Sequence, residues 1–219
     1  MAYSNFTLRK VKTDLHLAVE ENTSLFPEIQ PIPPSDYLTF ALQEHLPLVT
    51  AINTEKARSE LVIMPVLIEV RRYLQYQISL FSGTEFNVDA TRGLEGRCDF
   101  ILSRSLEQYE ITCPVMTIIE AKNESLKSGL GQCLATMLAA QLFNQQQGKS
   151  VETIWGAVTI GTDWKFLKLI NQTAFIDPID YSIKQIEQIL GILVTTLTNE
   201  PLMNHRGTEE TDLQNTKSG

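Results

Sequence analysis

The sequence predicts an α/β sandwich, with helices on both faces of a mixed β-sheet. Three observations predict it. Helical and strand periodicities alternate along the chain in the order helix, strands, helix, strands, helix. Residues 115–121 (VMTIIEA) are apolar on both faces, as a central strand is. The stretch from Ser128 to Gly148 keeps helical spacing yet carries no charge, so both of its sides are expected to be buried. A chain of 219 residues, 43% hydrophobic and 20% charged, suits one domain of this kind.

Taken in order, Phe6, Leu8, Val11, Leu15 and Leu17 read as a strand or hairpin. An extended connection through Pro27, Pro31, Pro33 and Pro34 follows, so residues 1–33 are expected to be a strand and extended segment packed on the core. Ser35 or Asp36 caps a helix through Leu38, Leu42, Leu46 and Val49, and Asn53 or Thr54 caps a second through Ala57, Leu61, Met64 and Leu67. Ile78, Leu80, Phe86 and Val88 flank a turn or bulge at Ser82-Gly83-Thr84; the next strands are 98–102 and 115–121. A long helix over about 124–147 stops at Gly148, and Gly161-Thr162-Asp163 turns a hairpin between strands 153–160 and 165–170. A short strand at 174–176 precedes a final amphipathic helix opened by Asp180 or Ser182. After Glu200 the chain loses aromatic and β-branched aliphatic residues, so 201–219 is expected to be a disordered tail.

Composition excludes several classes. No apolar run reaches the length of a membrane span, and the N-terminus has no continuous apolar segment of the kind that precedes signal cleavage. Cys98, Cys113 and Cys133 are odd in number and include no CxxC pair, which points to buried thiols in a reducing, cytoplasmic setting rather than to disulfides or zinc. Three widely spaced histidines leave carboxylates as the chemically capable groups. A net charge of −8 opposes diffuse attraction to a polyanion, so contact with nucleic acid has to be local. Arg71, Arg72, Arg92, Arg97, Arg104, Lys122 and Lys127 are the cations available for it.

Glu120-Ala-Lys122 closes the buried strand, and residues at i and i+2 of a strand share a face. A charged pair there requires a partner, because burying charge is costly unless it is paired or coordinates an ion. Asp99, at the start of the strand GRCDFIL, meets that need if the two strands run antiparallel through the 105–112 connection. Two carboxylates and a carbonyl oxygen suit Mg²⁺, with Lys122 beside them to orient water or offset developing charge. Asp163-Trp164-Lys165 has the same spelling but follows Gly161-Thr162, and reads as turn chemistry.

Glu60 in SELVIMPVL, Asp99 in GRCDFIL, Glu120 and Lys122 in IIEAK, and Gln132 in GLGQCLATMLAAQ together resemble the PD-(D/E)XK nuclease superfamily. The likeness extends to restriction endonuclease-like proteins of unassigned role and to the nuclease domains of type I restriction subunits. It spans about residues 54–170. It implies a restriction endonuclease-like three-layer sandwich over 34–200 and Mg²⁺- or Mn²⁺-dependent hydrolysis of DNA. Asp99 and Glu120 would be the metal ligands and Lys122 the catalytic lysine. Glu60, with Glu55 as the lesser candidate, would be the helix glutamate supporting a metal-bound water. Gln132 would line the site from the small-residue face of the long helix, which carries Ser128, Gly131, Ala135 and Ala139. Cys98 stands where the signature has proline.

Two other readings fit the residues. The fold can serve as a nucleic-acid-binding or assembly module, catalytically weak or silent, with a protein partner or as a homo-oligomer. A carboxylate pair also suits a glycosidase, although two tryptophans are few for a sugar platform.

Overall fold

In a computed structural model, which describes residues 2–198, the chain forms a seven-stranded mixed sheet with helices on both faces. The elements are α1 (Leu8–Asp14), β1 (Ala18–Glu20), α2 (Asp36–Ile52), α3 (Glu55–Arg58), a π turn (Ser59–Ile63), α4 (Met64–Tyr73), β2 (Ser79–Glu85), β3 (Arg97–Ser103), β4 (Val115–Ala121), α5 (Leu126–Gln146), β5 (Thr153–Thr159), β6 (Asp163–Ile170), β7 (Thr173–Ser182) and α6 (Ile186–Thr198). Strand order is β1-β7-β6-β5-β4-β3-β2. Only β1–β7 and β4–β5 pair in parallel. One core layer packs α1 and α5 on the sheet, through Val11, Leu134, Leu138, Ile118 and Val158. The other packs α2, α4 and α6, through Leu38, Val66, Leu193, Ile119 and Trp164. All seven residues of β4 are buried, as its two-sided apolar pattern requires.

The helix starts follow their caps. The Ser35 hydroxyl accepts the Leu38 N–H, Thr54 accepts the Ala57 N–H, and Ser182 with Gln185 forms a capping box ahead of α6. Pro65 shapes the segment between α3 and α4. It has no N–H to give the Leu61 carbonyl, and its ring crowds that oxygen. The backbone widens into the π turn and His45 Nδ1–H donates to the Leu61 carbonyl instead, at 2.7 Å.

Three expectations are corrected. Residues 8–14 are helical, not a strand: Leu8, Val11 and Leu15 have helical spacing, and Thr7 accepts the Lys10 N–H as a cap. The N-terminal strand is the three-residue β1, paired with β7. Ser82-Gly83-Thr84 lies inside one continuous strand, with Gly83 at φ +62°. β7 is far longer than 174–176; it runs through Pro178, and its pairing with β6 shifts register between Lys165 and Leu167. The expectation for 201–219 falls outside the described residues.

Among those residues no helix is long and apolar enough to cross a membrane, and the three cysteines are free thiols.

Candidate active site

β3 and β4 pair antiparallel, from Phe100 opposite Ile119 to Ser103 opposite Val115. Cys98 and Ile101 are three residues apart yet pack in the same core layer, so the alternation of β3 slips between them, at Asp99. Its carboxylate reaches across and accepts the Ala121 N–H at 2.8 Å, which fixes it beside the end of β4. Glu120 stands at that end, 1% exposed, on the face covered by α5. The Lys122 amine donates to Glu120 Oε1 at 2.5 Å.

Burial raises the Glu120 pKa to about 8, the Asp99 charge and a hydrogen bond between the two carboxyls adding to it and the Lys122 ammonium opposing it. Burial draws Lys122 downward, but the Glu120 charge and hydrogen bond, followed by the charges of Glu55 and Asp99, outweigh it and the amine is held above its ordinary value. Two carboxyls and one ammonium leave one negative charge in excess. Near neutral pH the pair answers it by keeping a proton.

α5 can come this close because Gly129 has no side chain. A Cβ there would lie 2.7 Å from Val158 Cγ1, 3.1 Å from Lys122 Cγ and 3.4 Å from Glu120 Cγ. On the opposite side, Arg58 ties α3 to the strand ends: it donates to the Ile160 carbonyl at 2.7 Å, to Asn123 Oδ1 at 3.3 Å and to Asn53 Oδ1 at 2.7 Å. The clamp joins the segment that opens on Glu55 to the one that follows Lys122.

The structure therefore gathers Asp99, Glu120 and Lys122. It does not gather Glu60, which points to solvent in an i,i+4 ion pair with Lys56 at 2.9 Å. Glu55 is the helix glutamate whose charge reaches Lys122. Gln132 is half-buried on α5, and its carbonyl accepts the Thr136 hydroxyl at 3.0 Å. On the small-residue face a Cβ at Gly131 would strike the Phe6–Thr7 backbone at 2.4 Å, so that glycine admits the N-terminal segment. Gly129, Arg58 and Asn123 escaped the sequence reading. Of these, Gly129 had a signal, a second glycine in the first turns of a helix.

Two of the candidate cations, Arg71 and Arg72, lie away from the carboxylates. Arg71 lies over Tyr76 and Arg72 over Tyr37, with 5.1 and 4.8 Å to the ring centroids. Both end α4, which leads to Ser79, opposite Ser103 at the far end of β3 from Asp99. Among the described residues no three His, Cys, Asp or Glu side chains form a metal-binding group. The carboxylate pair is nonetheless a hard-oxygen donor set, which fits a Mg²⁺ or Mn²⁺ that keeps several waters and displaces the proton the pair holds. No family model matches the chain, and no curated protein or solved structure matches it.

Proposed function

We propose that the protein is a metal-dependent nuclease of the PD-(D/E)XK type, with a restriction endonuclease-like fold, hydrolysing DNA phosphodiester bonds. One observation carries the reading. A buried carboxylate at the end of the central strand faces a second carboxylate from the neighbouring strand and a lysine two residues on. Asp99 and Glu120 would hold Mg²⁺ or Mn²⁺. When bound, the ion supplies Lewis acidity toward a phosphoryl oxygen. Lys122 keeps its proton, so it acts as a fixed cation that offsets the negative charge developing on the phosphoryl group and hydrogen-bonds an attacking water. Glu55 replaces Glu60 as the helix glutamate, its charge adding to that of Glu120 in raising the Lys122 amine. α5, brought in at Gly129, excludes bulk water from the Glu120 side. DNA contact is confined to this neighbourhood, in keeping with the net charge of −8.

The rival is a silent binding or assembly module. It is favoured by the Lys122–Glu120 ion pair, which satisfies both groups internally. Incubation of the purified chain with DNA and Mg²⁺ or Mn²⁺ decides between them. The nuclease reading expects cleavage that EDTA abolishes and that Asp99→Ala and Glu120→Ala lose; no cleavage with either metal supports the module.

A further inference from the structure

Beside the carboxylate pair lies a cleft of about 550 Å³ that the hydrolytic chemistry leaves unused. It opens between the first turns of α5 and strands β6 and β7. Register ties it to the pair: Glu120 is opposite Val158, Val158 opposite Lys165, and Lys165 opposite Asp180, one row across four strands. Glu120 and Lys165 are two strand spacings apart, roughly 10 Å. A group in the cleft is therefore within reach of a strand whose backbone lies at the carboxylates.

The cleft walls are aliphatic, with Leu126 and Leu130 from α5 facing Ile176 and Pro178 from β7. Two kinds of charge border them. Lys165 is committed: its amine donates to the Asp177 and Pro178 carbonyls at 3.0 and 3.3 Å and pairs with Asp180 at 2.5 Å. Lys127 is exposed and, among the described residues, has no ion pair. Glu21, Asp177 and Asp180 line the same space.

A flat ring with amino groups and an adjoining phosphate matches this lining. The ring lies against the aliphatic walls, its N–H groups donate to Glu21 or Asp180, and the phosphate meets Lys127. A volume of about 550 Å³ falls within the roughly 300–1,000 Å³ of small-ligand pockets. Bases stacked and paired in a duplex offer no such ring, so the occupant comes from a single strand or is rotated out of the helix. We propose that the cleft receives one unpaired nucleobase of the strand being cut, which makes DNA with an unpaired base beside the scissile phosphate the substrate class. The inference rests on reading the carboxylate pair as a phosphodiester-hydrolysis site.

The test is binding without metal. Two labelled five-nucleotide strands are compared in EDTA by fluorescence anisotropy, one carrying a single adenine between abasic positions and one wholly abasic. The full chain should bind the adenine strand about tenfold or more tighter, as stacking of one base commonly gives. In Leu126→Trp, whose indole fills the cleft, the preference should vanish while binding of the abasic strand stays the same. Should that variant fail to melt cooperatively, Pro178→Trp at the exposed rim replaces it. Equal binding of the two strands, a preference that survives the filled cleft, or binding of neither at millimolar concentration overturns the proposal. Failure here leaves the hydrolysis reading standing if metal-dependent cleavage is lost in Glu120→Ala. A base preference without such cleavage separates the two the other way.

Discussion

The chain contains two copies of one spelling, Glu120-Ala-Lys122 and Asp163-Trp164-Lys165, and they lie two strands apart in the same sheet. Lys165 is even in the same cross-strand row as Glu120. Yet the outcomes differ. Glu120, buried, and Lys122, half-buried, turn to each other with Asp99 against them. Asp163 takes the Thr162 hydroxyl at 2.9 Å, and Lys165 leaves it for Asp180 and two backbone carbonyls. What distinguishes them is position in the strand. The first copy ends a strand buried on both faces, where water cannot solvate the carboxyl and a second carboxyl arrives from β3. The second opens a hairpin strand, where the turn offers a hydroxyl and β7 offers carbonyls.

The largest effect that sharpens this contrast is on pH dependence. Glu120 is held above its ordinary 4.5, at about 8, so between these values the folded chain keeps a proton that the unfolded chain has released. Its contribution is therefore full below about pH 4.5 and is lost as pH rises through about 8, by several kcal/mol. Urea denaturation of the metal-free chain across this range should show the fall, and Glu120→Gln should flatten it and be the more stable protein at pH 8. Asp163→Asn should leave the slope as in wild type; an equal flattening would make the two copies equivalent.

Next in size is the loss of each lysine. Lys122→Met removes the one cation from two carboxyls and is expected to cost about 3 kcal/mol, toward the low end for a broken buried pair because Glu120 already holds a proton near neutral pH. Lys165→Met leaves an Asp180 side chain 54% exposed and carbonyls that other donors can reach, and should cost about 1 kcal/mol. Denaturant midpoints in the reverse order would break the contrast. Comparable to the Lys165 change is Gly129→Ala. The added Cβ meets Val158, which is fully buried, for about 2 kcal/mol of overpacking, offset by about 1 kcal/mol of helix propensity, so a net loss of about 1 kcal/mol is expected in the same experiment.

The core of the site was legible because strand rules are simple. A run apolar on both faces identified β4 as central, and period two placed Glu120 and Lys122 together. Asp99 followed from an antiparallel turn-back. Helix phase was harder. Pro65 forces a π turn over Ser59–Ile63, so a count of 3.6 residues per turn misassigns the faces around Glu60, and it is Glu55, the lesser candidate in the sequence, whose charge reaches Lys122. α1 was misread because a seven-residue helix shows barely two turns of pattern. β7 was cut short because Asp-Pro looks like a turn. Here the Asp177 carboxylate accepts the Leu25 and Ile179 N–H groups and holds the strand in line. The cleft could not be read at all, since its walls come from α5 and β7, far apart in sequence.

The central claim is that only the Glu120 copy is a hydrolytic centre. The direct measurement is DNA cleavage by wild type, Glu120→Ala and Asp163→Ala, side by side with Mg²⁺ and with Mn²⁺, on single-stranded, duplex and branched substrates. The account predicts cleavage by wild type and Asp163→Ala at similar rates, and a loss of about 100-fold or more in Glu120→Ala. Metal-dependent cleavage that persists in Glu120→Ala, or that disappears in Asp163→Ala alone, would contradict it.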